Sequence, residues 1–184
     1  MLVSKAARRY AAALLQIAIE NNTVQETLND VRDIHSTVID SKELQLFLKS
    51  PVIKPKEKAD ALLSLFKDKV SKQVLDFLSV VTSKGREDIL KEITAAFIDA
   101  YNEHAGIIKV EVKTASTLDE AQINELTKML EKSTSKKVLL DLQEQESLRG
   151  GISVKINDTV IDATVKHKLE QLEQKLLESS VELN

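Results

Sequence analysis

Residues 106–113, Gly106-Ile107-Ile108-Lys109-Val110-Glu111-Val112-Lys113, change the period of the chain. From Ile108 onward apolar and charged side chains alternate, the pattern of a half-buried β-strand. Upstream of Gly106 nearly every signal is helical. The change of period places a domain boundary there, with residues 1–105 on one side and 106–184 on the other. The fold class it predicts is α+β: an N-terminal six-helix bundle, then a small α/β domain with a short sheet and a long C-terminal helix.

Working backwards, Gly106 stops a helix carrying Ile89, Leu90, Ile93, Phe97 and Tyr101 on its inner side. Before it, Ser71 is placed to cap a helix that runs through Val81 and ends near Gly85. Pro55 suits the first position of a helix with Ala59, Leu62, Leu63 and Phe66, and Ser41 caps a short one with Leu44, Phe47 and Leu48. Thr23-Val24-Gln25-Glu26 has the form of a capping box ahead of the stripe Val24, Leu28, Val31, Ile34 and Val38. The first helix spans about Ser4 to Glu20 and breaks at Asn21-Asn22.

Working forwards, a helix from about Asp119 to Ser133 presents Ile123, Leu126 and Leu130, and Val138, Leu140 and Leu142 alternate again. Ile152 to Ile156 is a third strand, which Asn157-Asp158 reverses into Thr159-Val160-Ile161. A last helix runs from about Val165 to Ser180, and Val165, Leu169, Leu172 and Leu176 give it a narrow seam. Such a seam belongs either to a surface helix lying on its own sheet or to a contact with another long helix.

Two upstream helices carry more apolar surface than one packed face needs. On the first, Tyr10, Ala13, Leu14 and Ile17 form one face while Ala7, Ala11, Leu15 and Ala18 form another, together roughly 200° of the wheel. On the fifth, Val74, Leu75, Leu78 and Val81 are flanked by Phe77 and Val80. A helix of this kind is central in its bundle, or it keeps one face for a partner's amphipathic helix.

Composition narrows the function. Aromatics are 3% with no Trp, and Lys+Arg 26 against Asp+Glu 29 gives a net charge of −3, which argues against nucleic acid. Zero Cys removes disulfides, thiolate zinc sites and thiol catalysis. No apolar run reaches the roughly 18 residues of a membrane span. The opening residues lead straight into helix without a cleavage region, so a soluble intracellular chain is expected. Phosphate-binding Gly loops, G-x-S-x-G and H-E-x-x-H are missing. His35 reads as a packed histidine and His104 as a cation near a helix end. Gly150-Gly151 reads as a tight turn into a strand rather than a phosphate cradle. The residues give no positive argument for a catalytic site, and no cofactor, metal or small-molecule substrate is expected from them.

The motifs taken in order resemble a known family. Arg9-Tyr10-Ala11-Ala12-Ala13-Leu14 resembles its R-Y-A-x-A-L signature, and Lys84-Gly85-Arg86 its N/K-G-R turn. Ala115 to Leu118 resembles its S-A-x-x-L segment. Ser147-Leu148-Arg149-Gly150-Gly151-Ile152 with Val160-Ile161-Asp162-Ala163-Thr164 resembles its x-L-I-G-G … V-I-D-G-S element. The family is the delta subunit of bacterial F-type ATP synthase, that of the mitochondrial oligomycin sensitivity-conferring protein. Arg149 and Ala163-Thr164 depart from it, standing where the family has an apolar residue and Gly-Ser.

The resemblance implies a non-catalytic stator subunit that resists rotor torque. Its helical domain would cap the catalytic head, meeting alpha and beta subunits. Its groove for an alpha-subunit N-terminal helix would use Tyr10, Ala13, Leu14, Phe77 and Val80. The second domain would meet the b subunits of the peripheral stalk through Arg149, Leu169, Leu172 and Leu176. Gly85, Arg86, Gly150 and Gly151 would be structural turns. The site of action implied is the cytoplasmic side of a bacterial membrane, held there through the complex; a helical adaptor for another partner is the alternative.

Overall fold

Ser4 opens the first helix, α1 (Lys5–Glu20), by accepting a hydrogen bond from the Ala7 amide at 3.3 Å. The structure, a computed structural model, describes residues 4–156 and 159–181, with side chains through residue 173. The Asn157-Asp158 turn and the Leu176 side chain lie outside the described residues. The chain divides into two compact units, Met1–His104 and Ala105–Asn184.

In the first unit, α1 ends at Asn22, whose φ of +56° is one that Asn tolerates better than most side chains. The Asn22 and Thr23 amides reach back to the Ile19 and Ala18 carbonyls at 3.1 and 2.9 Å and close the helix end. Next come α2 (Val24–Asp40), α3 (Lys42–Lys49) and α4 (Pro55–Phe66), then α5 (Lys72–Ser83) and α6 (Leu90–His104), the last entered through a 3₁₀ turn at Glu87–Ile89. Ser41 caps α3 through the Leu44 amide, and Pro55 is the first residue of α4.

Two caps differ from the sequence expectation. Thr23 does not build a capping box: its hydroxyl donates instead to Gln73 Oε1 on α5 at 3.1 Å, a tertiary bond outcompeting the local one. Ser71 stands at the N-cap of α5 but makes no side-chain cap bond, and its backbone amide donates to Asp30 Oδ2 at 2.8 Å. The capping box that does form is Asp119 with Gln122, at the start of α7 (Glu120–Thr134).

Two apolar clusters dominate this unit. One joins Ile34, Val38, Leu48, Leu62, Phe66, Val74, Leu78 and Leu90 from α2 to α6. The other sets Ala11, Leu14 and Leu15 of α1 against Leu28, Val31, Ala96 and Phe97. Small side chains at Ala7, Ala11 and Ala18, all buried, let α1 lie close against its neighbours. Between α4 and the 3₁₀ turn, Lys58 and Glu87 form an ion pair at 3.0 Å with side chains only 7% and 5% exposed. Lys58 also donates to the Leu48 carbonyl at 2.7 Å, so the pair ties the end of α3 to both.

In the second unit, β1 (Ile107–Thr114), β2 (Lys137–Glu144), β3 (Ile152–Ile156) and β4 (Thr159–Asp162) form one mixed sheet in the order β2-β1-β3-β4. β1 pairs parallel with β2, the two joined through α7, and antiparallel with β3, and β3 pairs antiparallel with β4. Alternation decides the faces. Val110, Val112 and Val154 pack with Leu126 and Leu130 of α7. The opposite face carries Lys109 paired with Asp141 at 2.9 Å and Lys155 near Glu111 at 3.9 Å. The last helix, α8 (Val165–Val181), follows β4.

Candidate functional site

α1 and α5 run antiparallel: Asn21, at the end of α1, donates to Gln73 near the start of α5 at 3.0 Å, while Arg9 and Arg86 line a common cavity at the other end. Gln73 is held by a clasp, accepting from Asn21 and Thr23 and donating to the Thr27 hydroxyl at 3.4 Å. Between the two helices lies an open groove of about 570 Å³. Its lining includes Tyr10, Ala13, Leu14, Phe77 and Val80, so all five residues singled out on these helices meet in one place.

Leu14 is the buried floor. Tyr10 and Phe77 meet edge to face, ring centroids 6.4 Å apart at 72°, and form a wall. Ile17 and Val80 stand open to solvent, 43% and 50% exposed. Neither helix is therefore central in the unit: each buries one face and leaves an apolar strip uncovered. Along α1 the groove reaches from Tyr10 to Asn21, a rise of about 16 Å, or three helical turns. Ile17 belongs to the same helical face in the sequence. Asn21, Lys72, Gln73 and Asp76 complete the lining without a sequence signal, and the Asn21–Gln73 bond spans 52 residues of the chain.

The Lys84-Gly85-Arg86 turn shapes the other end. Gly85 takes φ +62°, its amide reaches the Thr82 carbonyl at 2.9 Å, and the Arg86 amide reaches Val81 at 3.0 Å. This αL closure stops α5 and carries Arg86 back toward α1. Arg9, Arg86, Ala6, Tyr10 and Ala13 line a second cavity of about 380 Å³.

In the second unit, Gly151 sits at φ +77° so close to the β4–α8 connection that a Cβ would meet the Ala163 carbonyl oxygen at 2.5 Å. Gly150 O accepts from the Val165 amide at 3.0 Å. The Thr164 hydroxyl caps α8 by accepting from His167 N at 3.2 Å, and Asp162 Oδ1 accepts from the Thr164 amide at 2.9 Å. Hydrogen bonds from Thr164 hold the Asp162 carboxyl below its ordinary value. Arg149 is exposed with φ +61°. Val165, Leu169 and Leu172 are 41%, 49% and 54% exposed, so these three seam residues are not buried. Leu142 and Ile161 are exposed as well.

Among the described residues no group of three or more His, Asp or Glu side chains could hold a metal ion. His35 Nδ1 and Thr94 Oγ1 share a hydrogen bond at 2.8 Å, a packing contact between α2 and α6. No described helix is long and apolar enough to cross a membrane.

An open apolar groove on a helical unit, joined in one chain to an α/β unit, defines a two-unit α+β protein with an uncovered apolar helical surface. The chain belongs to the ATP synthase delta (OSCP) subunit family, which matches residues 6–176. It is 38% identical over 174 residues to ATP synthase subunit delta of Chloroherpeton thalassium, with 95% of each chain covered. It is 37% identical to that of Desulforamulus reducens, covering 96% of this chain and 98% of the relative. A chain in the cryo-EM structure of the Toxoplasma gondii mitochondrial ATP synthase hexamer shares the fold at TM-score 0.75 and 21% identity, covering 95% of this chain and 98% of that one. As a member of this family the chain is a non-catalytic peripheral-stalk, or stator, component of F-type ATP synthase.

Proposed function

We propose that the groove between α1 and α5 holds an amphipathic N-terminal helix of an alpha subunit. In this reading the six helices of the first unit act as one bundle that caps the catalytic head of alpha and beta subunits. The second unit meets the b subunits of the peripheral stalk through Arg149 and the α8 seam of Leu169, Leu172 and Leu176. The chain then holds the head against rotor torque, at the cytoplasmic side of a bacterial membrane. The observation that carries the reading is the convergence of Tyr10, Ala13, Leu14, Phe77 and Val80 on one uncovered apolar groove. Such a groove binds by removing a partner helix's apolar stripe from water.

The experiment is calorimetric titration of the full chain with a synthetic N-terminal helix of the alpha subunit. One-to-one binding at about micromolar or tighter, with a negative heat-capacity change, is expected. Val80→Asp or Ala13→Asp, both at exposed positions, should weaken it by at least about tenfold. Unchanged affinity in folded variants overturns the groove assignment. A pull-down from membrane extract should recover alpha, beta and b subunits; recovery of other proteins alone favours the adaptor alternative.

A further inference from the structure

We propose that the Arg9–Arg86 end of the groove reads a carboxylate side chain on the docked helix, which gives the groove a fixed polarity. This deepens the helix-binding reading above and rests on it. Arg9 from α1 and Arg86 from the turn after α5 line one cavity with Ala6, Tyr10 and Ala13. Tyr10 and Ala13 also line the apolar groove, so the cavity continues it. The guanidinium side chains of Arg9 and Arg86 have no hydrogen bond or ion pair among the described residues. Two cations directed to one cavity without a counter-charge repel each other, and an acid placed between them removes that cost.

No acid lines this cavity; Asp88, two residues past Arg86, is not part of its wall, and two other acids close in sequence are engaged elsewhere. Glu87 pairs with Lys58 at 3.0 Å, and Glu92 Oε2 accepts from the Ser4 amide at 3.2 Å. The far end of the groove is different: Lys72 and Asp76 offset each other there, beside neutral Asn21 and Gln73. One end is therefore cationic and the other balanced. The guanidinium fork matches a carboxylate through two parallel hydrogen bonds, which a Lys could not supply. The occupant is an amphipathic helix of about three turns with an Asp or Glu flanking one end of its apolar stripe. Its stripe covers Tyr10, Phe77, Ile17 and Val80, and its acid lies between Arg9 and Arg86.

The test titrates the full chain, Arg9→Gln, Arg86→Gln and Val80→Asp with the alpha-subunit N-terminal peptide at low and high salt. The same series is repeated with peptides whose acids are changed one at a time to the amide. Each Arg→Gln is expected to weaken binding about twofold to fivefold at low salt and to flatten the salt dependence. One peptide acid should show the same loss, and the two losses should not add. Wild-type affinity and salt dependence in both Arg variants, with Val80→Asp impaired, overturns the carboxylate reading and leaves the groove standing. An Arg→Gln loss that persists undiminished against every amide peptide overturns it too. Normal binding by Val80→Asp removes the groove assignment and this proposal with it.

Discussion

Two positions set the tolerance of the fold at the scale of single residues. At Gly151 a methyl group would sit 2.5 Å from the Ala163 carbonyl, on backbone that is already at φ +77°. Gly151→Ala should cost about 1–3 kcal/mol and strike the second unit, read as a lower denaturant midpoint. Gly106, at φ +66° with open space around its Cβ direction, is the control: its Ala variant should cost only about 1 kcal/mol. The second position is the Lys58–Glu87 pair. Lys58→Met leaves Glu87 buried without its cation and should cost about 3–5 kcal/mol, while adding Glu87→Leu should recover much of it. Urea unfolding of the single and double variants measures both. Nothing in the sequence around Lys58 marks it as buried, because its partner lies 29 residues away in a turn. The Gly150-Gly151 pair was legible as a tight approach to a strand, but not the identity of the backbone it meets.

Elements were legible wherever a stripe or cap acts locally. The stripes on α2, α4 and α6, the Ser41 cap and Pro55 all rest on neighbours within one or two turns. Thr23 and Ser71 went otherwise because Gln73 and Asp30 reach them from other helices. The surplus face of α1 was legible because a helix wheel needs no tertiary knowledge; which helix faced it was not. His35 shows an element-scale consequence, since it joins α2 to α6. Burial, reinforced by the Lys91 cation and opposed more weakly by Asp99, holds its imidazole below 6.5. The unfolded chain takes up a proton near 6.5 while the folded chain resists, so this contribution is intact above that value and declines as pH falls below it. Unfolding midpoints measured at about pH 7.5 and 5.5 should drop on acidification, and His35→Gln should reduce the drop.

At the scale of the whole molecule, the apolar clusters sort cleanly. Those of Ile34, Leu14 and Ala7 draw only on the first unit, and that of Val110 only on the second. Residues 1–104 expressed alone should therefore fold, show helical circular dichroism and bind the alpha-subunit peptide with the affinity of the full chain. Loss of helicity in that fragment would show that the first unit needs the second.

The position of β1 in its sheet has a consequence for how the chain is made. β1 is an inner strand, bonded to β2 on one side and β3 on the other, yet it is synthesised before either. Its register with β3 joins Val110 to Ile156, so one edge of β1 stays open until Ile156 has left the ribosome. The helical unit has all its parts by His104 and can complete its core earlier. A ribosome slowing between those two points holds a finished groove above an unfinished sheet. The groove between α1 and α5 is thus complete before the sheet exists.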